Sequence, residues 1–369
     1  MKAGPEIVIG EDALQPFVYR TSGEALLVCG FEQREADPSH PFPGVARAFS
    51  SHDGGHSWER LPLSGQEGRR PVVQTVGLER KDGSFLTLEL YALREARDES
   101  FTAYGWASDD EFRSLEPLEV SVSVPRAVGS HNDGGVPLDA VLLHRDALRL
   151  PDDTLLMAAY GWHEEDQTPS AYEPTMMRSR ALLLRSTDEG QTWSDAGTIA
   201  ADSSVGQEGF TEPALARVRG GKHAGRLVCV MRTGSKACNL YQTHSEDDGA
   251  SWAVPRPLAA VGVDPCLLAL SEGRLALSYG TRLHDASGAV AEDVNVSPTN
   301  KIRISNDGGN SWSAPLELPP VSPSTGVGTT TNYTALTELS PGKLLMTYDI
   351  GTFWEDLHFL AARQIDLQV

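Results

Sequence analysis

The chain has 369 residues, of which 40% are hydrophobic and 22% charged, and this composition is typical of a globular protein with a substantial buried core. Its formal net charge of −20 argues against nucleic acid as a partner, because phosphates are bound through lysine and arginine. An anionic ligand would therefore need a local cluster of basic residues.

Six apolar strands, each with a turn just before it, follow one another along the chain. They cover residues 25–29, 85–90, 155–160, 227–231, 275–279 and 344–348. Apolar runs bounded by Gly, Pro and Asp are typical of β-strands buried on both faces. Shorter strands, such as residues 180–185 and 301–304, lie between them, and no segment has the length and period of a helix.

A second repeat, Ser-x-Asp-x-Gly-x-(Ser/Thr)-Trp, occurs four times. Its copies are residues 51–58, 186–193, 245–252 and 305–312, and the first interval is a little over twice each later one, as if one unit had lost its copy. Ser and Asp side chains bond nearby backbone groups, Gly permits positive φ, and Trp can pack the turn onto a sheet. The motif therefore predicts a hairpin turn with a structural role.

Together the two repeats predict an all-β protein, a six-bladed β-propeller of four-stranded antiparallel blades that forms a single domain over residues 1–369. Radial repetition of small sheets protects their edges. The chain after Trp312 is short for a complete sheet, so we expect the last blade to borrow a strand near residues 6–9.

The cysteines and the N-terminus bear on metal binding and on cellular location. Cys29, Cys229 and Cys266 lie in or beside apolar strands, which predicts buried thiols, and no Cys or His spacing fits a metal site. The first residues contain no apolar run like that of a signal peptide or membrane anchor. We therefore expect a cytoplasmic protein without metal or membrane partner, or a secreted one if a leader was removed.

The four turns resemble the Asp boxes of the sialidase (neuraminidase) superfamily, also described as BNR-repeat proteins. That resemblance implies a propeller and leaves the reaction open, because Asp boxes also occur in other propellers. Tyr19-Arg20, followed by Phe31-Glu32-Gln33-Arg34 and Asp37, looks like the sialidase opening. The likeness implies that Arg20 belongs to the arginine triad that binds the substrate carboxylate, that Arg34 is an auxiliary arginine and that Asp37 is the general acid/base.

The middle of the chain extends the resemblance. Residues 209–214 and 226–233 are similar to sialidase segments that carry a glutamate and, beyond it, the second triad arginine. The likeness implies these roles for Glu212 and Arg232. Two neighbouring antiparallel strands joined by a loop would bring both residues to the same end of one sheet.

The C-terminal part supplies the remaining candidates. Arg282 is the candidate third arginine, with Arg303 beside a turn motif as its competitor. Residues 331–336 resemble the sialidase segment that carries the nucleophilic tyrosine, which implies that role for Tyr333.

The implied activity is that of a retaining exo-glycosidase that removes a terminal acidic sugar from a glycan. A sugar with a carboxylate on its anomeric carbon repels an anionic nucleophile, and a tyrosine activated by a glutamate avoids this repulsion. Arginines hold a carboxylate through paired hydrogen bonds and keep their charge at any working pH. No cofactor is expected, and the implied partner is a glycan or oligosaccharide with a carboxylate.

A further polar cluster covers residues 131–135 and 144–146, from which Asp133 and His144 are candidates to line the substrate pocket. Two other interpretations stay open, because Thr21-Ser22 replaces the family's usual Ile-Pro after Arg20. A lyase or glycosidase acting on chains with uronic acid or rhamnose would use a histidine such as His144 to move the proton. A propeller that binds glycans without turnover is the third interpretation.

Overall fold

A computed structural model describes residues 1–33, 44–63, 72–94, 100–131, 136–171, 173–234, 238–281, 299–321, 328–352 and 357–367. In these residues the regular structure is β-strand apart from a 3-10 turn at Ser271–Gly273, and no helix is long and apolar enough to cross a membrane. The all-β prediction is confirmed.

The strands are numbered in chain order. Those of the first half are β1 (Lys2–Glu11), β2 (Leu14–Arg20), β3 (Leu26–Gln33), β4 (Gly44–Ser51), β5 (Glu59–Arg60), β6 (Gln74–Glu79), β7 (Phe85–Glu89), β8 (Tyr91–Arg94), β9 (Phe101–Ser108), β10 (Glu116–Ser123), β11 (Ala127–His131), β12 (Pro137–Leu138), β13 (Ala140–Arg149), β14 (Leu155–His163), β15 (Arg180–Ser186) and β16 (Thr192–Ala200). Those of the second half are β17 (Thr211–Arg217), β18 (Leu227–Arg232), β19 (Asn239–Ser245), β20 (Arg256–Val261), β21 (Val263–Ala269), β22 (Leu275–Gly280), β23 (Asn300–Ser305), β24 (Leu316–Leu318), β25 (Thr334–Ser340), β26 (Lys343–Ile350) and β27 (Phe359–Asp366).

Four of the sheets are separate and have four strands each. Three of them run in simple sequence order, β2-β3-β4-β5, β17-β18-β19-β20 and β21-β22-β23-β24. The fourth has the order β1-β27-β26-β25, and its register pairs Ile7 with Ala362. The expected use of a strand near residues 6–9 to complete the last sheet is thus confirmed.

The remaining strands form one sheet of eleven, where two separate blades were expected. It contains two antiparallel runs of four strands, β6-β7-β9-β10 and β13-β14-β15-β16. A bend at Leu90 separates β7 from β8, and β8 then pairs with β13 as well as with β9. A short parallel contact between β10 and β16 joins the two runs a second time. Strand pairings therefore connect the two runs, because the bent strand presents its second half to a new partner.

Alternate residues of β2, the first strand of its sheet, pack on opposite faces of that sheet. In β2, Phe17 and Tyr19 lie in one apolar cluster, whereas Val18 between them lies in another. The sheet that begins with β2 is therefore buried on both faces, as continuous apolar strands predict. The first strands β2, β6, β13, β17, β21 and β25 also meet around one cavity, which residues of all six line.

The four copies of the repeated motif form hydrogen-bonded turns. In the third copy, Asp247 accepts from the Ser251 N–H at 2.8 Å and from the Ser245 hydroxyl at 2.7 Å, while the Gly249 N–H donates to the Ser245 hydroxyl at 2.9 Å. Gly249 has a φ of +92°, and a Cβ there would lie 2.4 Å from Leu183. The turn therefore needs glycine both for its backbone conformation and for its close approach to the neighbouring sheet.

A fifth turn has the same hydrogen bonds with a different sequence. Asp110 accepts from the Ser114 N–H and from the Ser108 hydroxyl, and the Phe112 N–H donates to the Ser108 hydroxyl. Phe112 has a φ of 64° where the other copies have glycine, and Leu115 stands in place of tryptophan. The long first interval of the motif therefore contains a degenerate copy.

The motif turns and the starts of the first strands lie at opposite ends of the sheets. In a four-stranded antiparallel sheet the first and third connections share one end, so the β4–β5 turn lies beside the end of β2. We call this the lower end, and the end where first strands begin the upper end. Upper ends of different sheets meet, because the Asp264 N–H near the start of β21 donates at 2.7 Å to Glu212 near the start of β17.

Candidate active site

Tyr333, Glu212 and Arg232 meet at the upper end. Tyr333 directly precedes β25, Glu212 is the second residue of β17, and Arg232 ends β18. The Tyr333 hydroxyl donates to Glu212 Oε1 at 2.8 Å, and Arg232 Nη1 donates to the same oxygen at 2.6 Å. All three residues are 5–7% exposed. The phenolic proton therefore has a carboxylate acceptor within hydrogen-bond distance, which is the geometry that proton transfer needs.

A bulge gives Glu212 its unusual backbone position. β17 pairs with β18 through Thr211 and Arg232 and next through Ala214 and Val230, so two residues of β17 oppose one of β18. Glu212 has a φ of 45°, in the left-handed region that costs a non-glycine residue about 1–2 kcal/mol. Bulges re-aim side chains and are common beside functional sites.

The starts of β2 and β21 have the same combination of a bulge and a left-handed residue. Gln15 precedes Pro16 and has a φ of 50°, Asp264 precedes Pro265 and has a φ of 47°, and both lie at register shifts. Glu212 likewise precedes a proline. The sequence analysis missed Gln15 and Asp264, although a polar residue before proline at the start of a first strand was a usable signal.

A second carboxylate, Glu208, shares Arg232. Arg232 Nε lies 2.8 Å from Glu208 Oε1, and the Thr211 hydroxyl donates to the same oxygen at 2.9 Å. Glu208 is 2% exposed. The guanidinium of Arg232 therefore faces two carboxylates at once. Glu208 was also missed, and its only sequence signal is a position four residues before Glu212.

Asp264 connects this cluster to a second layer of charged groups. Its N–H donates to Glu212 Oε2 at 2.7 Å, while its own Oδ2 accepts from Arg145 Nη2 at 2.6 Å and from the Thr334 N–H at 3.0 Å. Asp264 is fully buried. The carboxylate of Glu212 is therefore fixed from both oxygens, by Tyr333 and Arg232 on one side and by the Asp264 backbone on the other.

His144, predicted to line the pocket, lies in this second layer. Its Nε2 is 3.4 Å from Asp264 Oδ1, and its Nδ1 is 3.4 Å from the Pro213 carbonyl. The Phe17 and Tyr160 rings pack edge-on against it, and the side chain is 2% exposed. His144 thus contacts Asp264 and not the Tyr333 hydroxyl.

Asp349 anchors the start of β2. It accepts from the Gln15 N–H at 2.9 Å, from the Thr330 hydroxyl at 2.7 Å and from the Thr331 N–H at 2.8 Å. Burial raises the pKa of this carboxyl, although the Thr331 hydroxyl, the Gln15 N–H and Thr330 act in the opposite direction. The upper end of β2 therefore presents Gln15, an amide, at the position where β17 presents Glu212.

Arg20 does not join the cluster. It is the last residue of β2, at the lower end, where its Nη2 lies 3.2 Å from the exposed Glu24 carboxylate. A strand rises about 3.4 Å per residue, so Arg20 lies about 17 Å along β2 from Gln15. The role in carboxylate binding that the resemblance implied for Arg20 needs a correction, because Tyr19-Arg20 ends its strand and does not begin it.

The remaining predicted residues fall into two groups. Arg34, Asp37, Asp133 and Arg282 lie outside the described residues. Arg303 is on β23, the third strand of its sheet, where it donates to the Tyr279 hydroxyl at 2.9 Å and to the Ala259 carbonyl at 2.8 Å.

Within the described ranges no group of three or more His, Cys, Asp or Glu side chains could hold a metal ion. Cys29, Cys229 and Cys266 are buried free thiols, as predicted, and Cys238 is a partly buried one.

Solved structures with a similar fold include glycoside hydrolases and a protein of unknown function. A protein of unknown function from Dyadobacter fermentans has 17% identity and a TM-score of 0.70, with 100% of this chain and 99% of that chain covered. A Hadza microbial sialidase has 15% identity and a TM-score of 0.64, with 96% and 66% covered. An α-L-arabinanase from Penicillium chrysogenum has 14% identity and a TM-score of 0.65, with 100% and 99% covered. These likenesses establish a shared fold.

A search of curated protein sequences finds no match. A family model does match, over residues 131–346, and its description is BNR repeat-like domain. The match covers more than half of the chain, including Glu208, Glu212, Arg232 and Tyr333. The chain therefore belongs to the BNR repeat-like domain family.

Proposed function

We propose that the protein is a glycoside hydrolase in which Tyr333 is the nucleophile and Glu212 is the base that activates it. The observation that carries the proposal is the 2.8 Å hydrogen bond from the Tyr333 hydroxyl to Glu212 Oε1. A phenol is a weak nucleophile at neutral pH, and a carboxylate held in contact with its proton is the usual means of activation. The glycoside hydrolases among the structural neighbours support the same reaction class.

The proposal includes the six-bladed architecture in one domain. Six antiparallel runs of four strands, with their first strands around one cavity, support a radial arrangement. The β10–β16 and β8–β13 pairings then join two neighbouring blades.

The reaction would proceed in two displacements. The Tyr333 oxygen attacks the anomeric carbon while its proton moves to Glu212, and the bond to the leaving oxygen breaks as that oxygen takes a proton from a general acid. Water then attacks the anomeric carbon and gives a proton to the deprotonated general acid, while the bond to the Tyr333 oxygen breaks and that oxygen regains its proton from Glu212. We retain Asp37 as the proposed acid. Arg232 keeps Glu212 oriented through its 2.6 Å hydrogen bond.

The leading substrate is a terminal sugar with a carboxylate on the anomeric carbon. A neutral phenol approaches such a carbon without the repulsion that a carboxylate nucleophile would meet. The arginines proposed to bind the sugar carboxylate are Arg232, Arg34 and Arg282. The sialidase among the structural neighbours supports this choice.

A second candidate is a neutral sugar such as an arabinofuranoside. The observation that favours it is that Arg232 already binds Glu208 and Glu212, so its charge is compensated before any substrate arrives. Arg20, at the far end of its strand, supplies no replacement. Glu208 and Glu212 would then be the carboxylate pair that most glycosidases use. The arabinanase among the neighbours supports this alternative.

The test compares hydrolysis of an aryl α-sialoside and an aryl α-L-arabinofuranoside by the wild type and by Tyr333→Phe, Glu212→Gln and Glu208→Gln. We expect Tyr333→Phe to lower kcat on the order of 10³-fold or more. Glu212→Gln should lower it by about 10²–10⁴-fold, because the base is lost. The matched control is Tyr348→Phe, because the Tyr348 hydroxyl donates at 2.6 Å to Glu6 in a similar pair outside the cluster.

The outcomes separate the candidates. Sialoside hydrolysis that depends on Tyr333 and survives Glu208→Gln supports the acidic sugar. Arabinofuranoside hydrolysis that needs both glutamates and tolerates Tyr333→Phe supports the neutral one. If Tyr333→Phe and Tyr348→Phe leave equal rates on every active substrate, Tyr333 is not the nucleophile. Binding without turnover on a broad glycan panel would contradict the enzymatic proposal. Release of an unsaturated uronate, seen by its ultraviolet absorbance, would indicate a lyase.

A further inference from the structure

The cavity that the six first strands surround lies at their lower end, away from Tyr333. It has a volume of about 580 Å³, and residues of β2, β6, β13, β17, β21 and β25 line it. Neither Tyr333 nor Glu212 is among the lining residues. Pockets of about 300–1,000 Å³ are the usual size for binding small molecules.

Arg145 closes the inner end of this cavity. From β13 it reaches across to the neighbouring strands, donating to Asp264 Oδ2 at 2.6 Å, to the Pro265 carbonyl at 3.1 Å and to the Thr334 carbonyl at 2.8 Å. Its guanidinium also lies over the Phe17 ring, 4.9 Å from the centroid. These contacts bridge β13, β21 and β25 between the cavity and the Tyr333 cluster.

The cavity lining is rich in arginine in a strongly acidic protein. It contains five arginines, Arg20, Arg145, Arg149, Arg217 and Arg219, and two acids, Glu79 and Asp146. Arg20, Arg145 and Arg149 are paired with Glu24, Asp264 and Glu189, so Arg217 and Arg219 are the arginines that can attract an anion. The whole chain has a net charge of −20. A local basic lining of this kind attracts anions that the rest of the surface repels.

Two of these arginines are available at the mouth. Arg219 is exposed, and no carboxylate pairs with it in the part of the chain that the structure describes. Arg217 has one long contact, 3.4 Å from its Nε to Asp248. The walls between the mouth and Arg145 are apolar and include Val18, Leu215 and Leu267.

We propose that this lower cavity binds a small organic carboxylate with an apolar body. The carboxylate would meet Arg217 and Arg219 at the mouth, where a guanidinium can donate two parallel hydrogen bonds. The apolar body would lie against Val18, Leu215 and Leu267, where its burial is favourable. This site is distinct from the Tyr333 cluster and does not depend on glycosidase activity.

Asp146 gives the site an expected pH dependence. Its side chain lines the cavity from β13 and is exposed to the space inside it. Desolvation by the strands around the cavity raises its pKa to about 7, although Arg145 and the Gly77 N–H act in the opposite direction. Tyr19 and Cys266, which also face Asp146, have raised pKa values and remain neutral, so Asp146 is the group that changes charge near neutral pH. The charged form repels an anion, and binding should weaken as pH rises through this range.

The test is isothermal titration calorimetry with octanoate, acetate and 1-octanol as probes. We expect octanoate to bind at one site, and acetate to bind about a hundredfold more weakly because it lacks most of the apolar body. 1-Octanol, which lacks the charge, should bind about tenfold more weakly or worse. The double variant Arg217→Glu/Arg219→Glu should lower octanoate affinity by about tenfold or more. The matched control is Arg185→Glu, on the exposed face of β15 and outside the cavity lining.

The pH dependence of octanoate binding tests whether the ligand lies beside Asp146. Octanoate affinity should fall between about pH 6 and about pH 8 in the wild type and remain level in Asp146→Asn. The proposal is overturned if octanoate does not bind, if the double variant binds as the Arg185→Glu control does, or if 1-octanol binds as tightly as octanoate. Hydrolysis by Tyr333 is measured separately, so loss of one activity leaves the other proposal standing.

Discussion

The lower and upper ends of the sheets differ in the range of their hydrogen bonds. In each Ser-Asp-Gly turn at the lower end, the bonds that join the Ser, Asp and Gly of the motif to one another and to the adjacent turn residues span at most four positions, as between Gly249 and Ser245. At the upper end, the Tyr333 hydroxyl reaches Glu212 across 121 positions, and the Asp264 N–H reaches Glu212 across 52. Local bonds recur because each unit can form them alone. Long-range bonds are unique because they require particular units to meet.

The two ends also differ in how much stability we expect a substitution to cost. The turn aspartates are exposed or half-exposed, and each accepts several hydrogen bonds from its own turn, so the loss of one aspartate affects mainly that turn. The glutamates around Arg232 are buried, and both form ion pairs with its guanidinium. We therefore expect substitutions at the upper end to cost more stability than those at the lower end.

The largest effect is expected for Arg232→Met. It removes the cation that Glu208 and Glu212 share, and removing one partner of a buried ion pair costs about 3–5 kcal/mol of unfolding free energy. The measurement is urea denaturation followed by circular dichroism. Adding Glu208→Gln to Arg232→Met should recover part of the loss, because one unpaired charge is removed. A loss for Arg232→Met no greater than that of the exposed control Arg185→Met would contradict the comparison.

A smaller effect is expected for Gly249→Ala at the lower end. A side chain at a φ of +92° costs about 1–2 kcal/mol, and the contact of 2.4 Å with Leu183 adds about 1–3 kcal/mol. The matched control is Gly83→Ala, with a φ of +86° and no atom within 4 Å, which should show the backbone cost alone. Equal midpoints of urea unfolding for the two variants would mean that contact with the neighbouring sheet does not constrain the turn.

The smallest effect concerns acid stability. Hydrogen bonds from Ser251 and Ser245 lower the pKa of Asp247 to about 2, below the value of about 3.9 expected in the unfolded chain. The stability from these bonds is present above about pH 4 and is lost as pH falls through about 2. Melting temperatures measured from pH 5 downward should therefore fall less steeply for Asp247→Asn than for the wild type. Asp248→Asn, on the same turn, is the control. Identical slopes for all three proteins would show that the hydrogen bonds of Asp247 do not contribute to the loss of stability in acid.

The sequence predicted most of the fold because the repeats are local. The β1–β27 pairing followed from the short chain after Trp312, and the apolar strands followed from their turn signals. The junction of β8 with β13 could not be predicted, because it depends on a bend at Leu90 in an otherwise ordinary strand. The degenerate turn at Asp110 escaped notice because Phe112 adopts the conformation expected of glycine.

The site was predictable only where family likeness marked it. Glu212, Arg232 and Tyr333 were named from matched segments, and the structure brings them together. Arg20 was named in the same way, but position along a strand decides which end a side chain reaches. Glu208 and Asp264 were missed because a buried carboxylate and an exposed one look alike in a sequence.

The pairing of β1 with β27 also affects how the protein folds during synthesis. β1 is synthesised long before its partner Phe359–Asp366, because the strands of all the other sheets lie between them in the chain. Closing a loop of that length is costly in chain entropy, and it waits until translation of the partner strand is complete. Until then β1 has an unpaired edge, so a nascent chain is exposed to strand exchange with other copies while the intervening sheets are made.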